Sequence, residues 1–164
     1  MSNHLTVKIG VGALIIDEKN NSVLLSKKNY GDIKSKWTFP EGYADRGETP
    51  LEAIKREVKE ELDGEIKVND LICIRYKRSK KESTVYFVFN CLLLNKENLK
   101  INDKEEINDF NFFNIEQIEK NNEIYSLVKI VLNKHKSDSN FNFRKIDFVP
   151  SEIKIDKDNY LLYL

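Results

Sequence analysis

Residues 5–16, LTVKIGVGALII, are β-branched and nearly uncharged, a pattern that predicts a strand buried along part of its length. The polar stretch 17–21, DEKNN, ends it, and strand character resumes at 22–26, so the two runs are expected to pair antiparallel as a first hairpin. Residues 27–36 then read as a polar loop holding Tyr30 and Gly31. Across Pro50–Leu62 the apolar residues Leu51, Ile54, Val58 and Leu62 recur at spacings of three and four, which places them on one face of a helix. Its start is marked by Thr49 as N-cap, Pro50 at the first helical position and Glu52 completing a capping box, and Gly64 supplies the stop. Two runs rich in Val, Ile, Tyr and Phe, 66–77 and 83–94, flank the basic turn Arg78-Ser79-Lys80-Lys81-Glu82 and predict a second hairpin. A short strand is expected at 109–113, and Ile118, Ile124, Leu127, Ile130 and Val131 keep helical spacing through 115–120 and 123–136. The order β-rich, helix, β-rich, helix predicts an α+β fold in which a mixed sheet lies between helices.

At 164 residues the chain has the length of one domain, with 40% hydrophobic residues to build a core beneath a surface that is rich in charge. Residues 1–136 read as that domain and 137–164 as an extension. Phe141, Phe143, Phe148, Tyr160 and Tyr163 make the extension too aromatic for a solvated tail, so it is expected to pack on the domain or on a partner chain, which leaves a homodimer open. Lys+Arg and Asp+Glu each total 27, which removes the global cationic field that drives non-specific binding to polyanions, and no DNA partner is expected. No apolar run approaches the roughly 18 residues of a membrane span. Cys73 and Cys91 both lie in strand-like apolar runs, which with the polar composition points to a reducing, cytoplasmic setting.

The chemistry concentrates on the first helix. Glu57, Glu60 and Glu61 stand at i, i+3 and i+4, on one side of the helix within about one turn, where like charges repel. Two of them occupy the last turn, at the negative end of the helix dipole. Local rules broken together in this way mark functional sites, and a hard divalent cation is the compensation that carboxylate oxygens suit. Ahead of the helix, residues 37–48 form a loop with two glycines, a proline and Glu48, the kind of segment that brings backbone close to a ligand.

Gly42, Glu48, Arg56, Glu57, Val58, Glu60 and Glu61 together carry the spacing G-x5-E-x7-R-E-U-x-E-E, in which U is aliphatic. This resembles the Nudix box of the MutT-like hydrolases. The chain departs from the pattern at Asp63, where the family has glycine, and its own glycine follows one step later at Gly64. The resemblance implies an α/β/α sandwich and hydrolysis of a nucleoside diphosphate linked to another moiety, with Mg2+ or Mn2+ as cofactor. It assigns the metal to Glu57, Glu60 and Glu61 with the carbonyl of Gly42, and a bracing ion pair to Glu48 and Arg56. The general base in the family is either a box glutamate or one on a later loop, for which Glu105 and Glu106 are the candidates here. Trp37, Tyr30, Tyr43 and Tyr76 are candidates to stack on a base, and the basic run containing Arg75, Lys77, Arg78, Lys80 and Lys81 is a candidate phosphate receiver. An RNA 5′-end pyrophosphohydrolase and a non-catalytic nucleotide-binding module stay open as alternatives. His4 and His135 have no Cys or carboxylate at zinc-like spacing, and no Walker or Rossmann glycine pattern is present; Gly10 and Gly12 are an isolated pair inside a strand.

Overall fold

The computed structural model describes residues 6–78, 82–137, 144–154 and 159–164. Ser79, Lys80 and Lys81 of the basic turn, Phe141, Phe143 and His4 lie outside them. The described strands are β1 (Val7–Asp17), β2 (Ser22–Lys28), β3 (Trp37–Thr38), β4 (Glu41–Tyr43), β5 (Ile66–Arg78), β6 (Ser83–Leu93), β7 (Ile107–Asn114), β8 (Lys145–Ile146) and β9 (Tyr160–Tyr163). Two α-helices, α1 (Pro50–Leu62) and α2 (Ser126–Ser137), complete the frame. The strands join in the order β3-β2-β1-β6-β5-β9-β8, with β4 added to β1 and β7 to β2.

The second hairpin forms as expected: β5 and β6 pair antiparallel from Ile66↔Leu93 to Arg78↔Ser83. The first is much smaller than its sequence suggests, because β1 and β2 share only Ile16↔Val23 and Asp17↔Ser22. Other partners claim the backbone edges of both strands. β1 runs parallel to β6 from Val7↔Ser83 to Ile15↔Cys91 and takes β4 at Gly10↔Tyr43, Val11↔Gly42 and Gly12↔Glu41. β2 pairs with β7 along its length and with β3 at its end.

Alternation along β1 sends side chains into two cores. Val11, Ala13 and Ile15 join Ala53, Ile54, Val58 and Leu62 of α1. Leu14 joins Leu127, Val128, Val131 and Leu132 of α2 on the other face. Full burial of a Val, Leu or Ile side chain contributes about 1.5–3 kcal/mol, so the α1 stripe is what seats the helix against the sheet. Leu51, expected on that stripe, is 49% exposed. It sits in the first turn, ahead of the buried stripe that begins at Ala53. Residues 115–120 form a short 3-10 helix, and regular α-helix begins only at Ser126. β9 pairs with β5 from Ile74↔Tyr163 to Lys77↔Tyr160, which buries Tyr160, Leu162 and Leu164. Cys73 and Cys91 are buried and unpaired.

Candidate functional site

The loop and helix that carry the box are fixed at both ends by local hydrogen bonds. Thr49 Oγ1 accepts from the Glu52 amide at 3.3 Å, and the Glu52 carboxylate accepts from the Thr49 amide at 2.9 Å. At the far end Asp63 takes the left-handed conformation itself (φ 55°), its amide donating to the Lys59 and Val58 carbonyls. The side chain is held by Lys59 at 2.6 Å and Lys100 at 3.1 Å. Asp tolerates this conformation better than most residues, so α1 closes after Leu62 without the family glycine.

Arg56 is the hub. Its guanidinium grips Glu48 through two hydrogen bonds of 2.8 and 2.9 Å, donates to the Tyr43 carbonyl at 2.8 Å, and reaches Glu57 at 3.0 Å and Glu60 at 2.8 Å. Glu48 also accepts from the Asp45 amide at 2.8 Å. These bonds, the Arg56 ones first, hold the Glu48 carboxyl down at about 2. Loop and helix are thereby tied through one charge. Gly42 explains its own identity: a Cβ there would stand 2.0 Å from the Glu57 carboxyl carbon, so only glycine lets β4 pass across that carboxylate. The Tyr43 amide donates to the same carboxylate at 3.1 Å.

Burial governs the remaining carboxylates. Glu57 and Glu61 are 7% and 1% exposed, and loss of water raises both above the ordinary carboxylate range. Lys28 at the end of β2 is as buried as they are, and its ammonium donates to Glu61 Oε1 at 2.6 Å and to the Glu41 carbonyl at 2.9 Å. Burial works against the Lys28 charge, but Glu61 and Glu41 outweigh it and the ammonium is retained. For Glu61 burial is the larger influence, with Lys28 pulling the other way. The second oxygen, Glu61 Oε2, is buried without a hydrogen-bond partner. A buried oxygen of this kind is costly unless something binds it.

Tyr30, Gly42, Tyr43, Asp45, Arg56, Glu57, Glu60, Glu61, Asp103 and Glu106 line one cavity of about 310 Å³. The fold therefore brings together the three box glutamates, Gly42, the Arg56 brace and Glu106 from far along the chain. Glu106 sits 4.0 Å from Lys28 Nζ and accepts from the Tyr30 hydroxyl at 3.2 Å. Asp103 poises this turn by accepting from the amides of Glu105 and Glu106. Glu105 itself points to solvent. Among the described residues no three acidic, His or Cys side chains already converge as a ligand set. Arg56 holds Glu57 and Glu60, and Lys28 holds one oxygen of Glu61. The donor chemistry nonetheless fits a hard divalent cation: carboxylate oxygens on one wall, one of them buried and unpartnered, in a cavity with room for water and phosphate.

A second cavity, about 120 Å³, shares Tyr30, Gly42 and Tyr43 with the first and continues past Glu41 to Tyr86 and Arg75. Tyr43 is thus at the site, 46% exposed, as is Arg75 at 8%. Trp37 is not. Its ring is 7% exposed, edge-on to Phe113 at 4.7 Å, with Nε1 donating to Glu123, because β3 turns it into the core. Tyr76 lines neither cavity. Sequence reasoning passed over Lys28, Glu41, Asp103 and Tyr86. Only Asp103 carried a local signal, in its spacing from Glu106.

The NUDIX domain family model matches residues 6–130. An RNA pyrophosphohydrolase of Helicobacter pylori (strain G27) is 58% identical over 31 residues, 19% of this chain and 20% of that protein, so the match spans about a fifth of the relative's length. A NUDIX hydrolase structure from Nitrosomonas europaea superposes with a TM-score of 0.69 at 23% identity, covering 85% of this chain and 78% of that one. A MutT NUDIX hydrolase from Burkholderia pseudomallei gives 0.67 at 20% identity, covering 78% and 97%. At such identities the structures speak for the fold. The family match, over most of the chain and through the glutamate-lined cavity, shows that this protein belongs to the NUDIX domain family.

Proposed function

We propose that the protein is a Mg2+- or Mn2+-dependent hydrolase that cuts a pyrophosphate bond in a nucleoside diphosphate linked to another moiety. The observation that carries this reading is Glu61: a buried carboxylate with one oxygen on Lys28 and the other unpartnered, beside Glu57 and Glu60 on the wall of one cavity. Glu57, Glu60 and Glu61, with the Gly42 carbonyl, would hold the metal. A bound divalent cation neutralises phosphate charge and lowers the pKa of an attacking water. Arg56 keeps the helix and the Gly42 loop at fixed separation through Glu48 and the Tyr43 carbonyl. Glu106 is the residue we assign as general base, since Tyr30 and the Asp103 turn aim its carboxylate into the cavity while the box glutamates are engaged. In this reading the protein works in the cytoplasm, supported by its two unpaired buried cysteines. Among the described residues no helix is long and apolar enough to cross a membrane.

The test is product formation from ADP-ribose, dinucleoside polyphosphates, nucleoside triphosphates and 5′-triphosphorylated RNA, with Mg2+, Mn2+ or chelator. Metal-dependent cleavage should fall on the order of 10²–10³-fold in Glu61→Gln and Glu57→Gln. A folded protein that cleaves none of these overturns the reading in favour of a binding module. The 31-residue likeness to an RNA pyrophosphohydrolase favours one second reading, RNA-end cleavage, which would show as activity on the RNA substrate that falls steeply with salt.

A further inference from the structure

The second cavity contains a cation that the acidic site does not use. Tyr43, Gly10, Tyr86 and Arg75 lie in one register row across β4, β1, β6 and β5. A Cβ at Gly10 would come within 2.7 Å of the Tyr86 ring, and one at Gly12 within 2.2 Å of its hydroxyl. The two glycines therefore clear a bed on which the ring lies across β1, and its hydroxyl donates to Glu41 on β4. The Arg75 guanidinium packs 4.4 Å from the centre of that ring, which carries its charge away from β5 and toward the acidic cavity.

Arg75 is 8% exposed, and its Nε lacks a hydrogen-bond partner. The other charged groups lining the cavity are spoken for. Lys28 is bound by Glu61, Lys77 faces Asp32 at 3.7 Å, and Glu41 receives Tyr86. The buried hydroxyls of Tyr125 and Tyr160 stand close enough to act on Arg75, yet neither makes a hydrogen bond of normal geometry. Burial holds Tyr160 up to about 12 and raises Tyr125 well above the ordinary phenol range, so both are protonated donors at neutral pH. Arg75 Nε and the Tyr125 hydroxyl thus stand at one cavity without a hydrogen-bond partner, and Glu41, the carboxylate that acts on both, is already taken by Tyr86. A stacked tyrosine ring and a carboxylate shared with Tyr86 leave the Arg75 Nε unbonded, whereas a phosphate oxygen satisfies the planar fork directly.

Resting on the hydrolase reading above, we propose that Arg75, assisted by Tyr125 on the same cavity wall, receives a phosphate beyond the scissile pyrophosphate, so that the preferred substrates carry three or more linked phosphates. A diphosphate ending in a neutral group such as ribose leaves these donors empty.

The experiment has two arms on the full chain. In chelator, so that no metal-bridged binding contributes, inorganic tripolyphosphate at about a hundredfold excess over its Kd should raise the wild-type Tm by roughly 5–10 °C. The same addition should leave Arg75→Met unmoved. Arg75→Met without ligand should melt no lower than wild type, because it removes a buried charge that makes no ion pair within 4 Å among the described residues. With metal present, Arg75→Met should lose about 10–100-fold in kcat/KM on triphosphate or dinucleoside tetraphosphate substrates, mainly through KM, and less than about threefold on ADP-ribose. If Arg75→Met does not fold, the near-isosteric Tyr125→Phe carries the test through the same selective loss. Equal losses on both substrate classes, or a tripolyphosphate shift that survives in Arg75→Met, overturn the proposal while the hydrolase reading stands. A nucleoside without phosphate that reproduces the Arg75-dependent shift also overturns it, as a base site. An Arg75-dependent shift without hydrolysis of any substrate leaves the phosphate site in place and removes the hydrolase reading instead.

Discussion

At the scale of single residues, one guanidinium does much of the organising. Arg56 touches Glu48, Glu57, Glu60 and the Tyr43 carbonyl, so its loss would loosen the loop from the helix as well as remove a charge. The Glu48 partner gives this a pH signature. Its carboxyl is lowered from 4.5 to about 2 in the folded protein, so the stability it contributes is present above pH 4.5 and is lost as pH falls toward 2. Glu48→Gln should therefore unfold at lower urea than wild type at pH 7, and the two midpoints should converge near pH 2. A constant gap across that range would mean that packing, not charge, is what Glu48 supplies. The box residues and this brace were legible in the sequence because they lie within one loop and one helix. The Lys28–Glu61 and Tyr86–Glu41 contacts were not, since their partners are 33 and 45 residues apart and meet only once strands have chosen neighbours.

Elements show the same division between local and non-local information. α1 was readable from end to end because capping box, proline and apolar spacing are all encoded within a few residues of one another. Its close is the instructive part. Asp63 accepts the left-handed backbone that a glycine would enter freely, and two lysines meet its side chain. Asp63→Gly relieves the backbone but gives up those ion pairs and adds chain entropy, so stability should change by less than about 1 kcal/mol and hydrolysis should not change. Asp63→Val, β-branched and without the pairs, should cost about 1–2 kcal/mol in equilibrium unfolding. A large loss in the glycine variant would show that the carboxylate, not the turn, secures the helix end. Strand pairing was the least readable feature. The hydrophobic period marks β1 and β2 as strands, but the same period suits any partner, and most of β1 pairs with β6 and β4 instead of β2.

For the molecule as a whole, the mixed sheet between two helices was legible from the order of elements, and its edges were not. β9 adds to β5 beside Arg75, pairing Leu162 with it, and closes the core over a fully buried Leu162. Nothing in the aromatic tail identified that strand as its neighbour. Leu162→Ala should cost about 2–5 kcal/mol, measured by chemical denaturation, which is a large fraction of the stability of a domain this size. A cost below 1 kcal/mol would mean that β9 is only loosely joined to the sheet. The parallel pairing of β1 with β6 also sets an order in time. A ribosome delivers β1, the glutamates of α1 and the Lys28 strand before it delivers β6, and until β6 arrives β1 lacks its longest partner. Glu57 and Glu61 meanwhile remain in water. The burial that raises Glu57 and Glu61 therefore follows the arrival of a strand that comes after them in the chain.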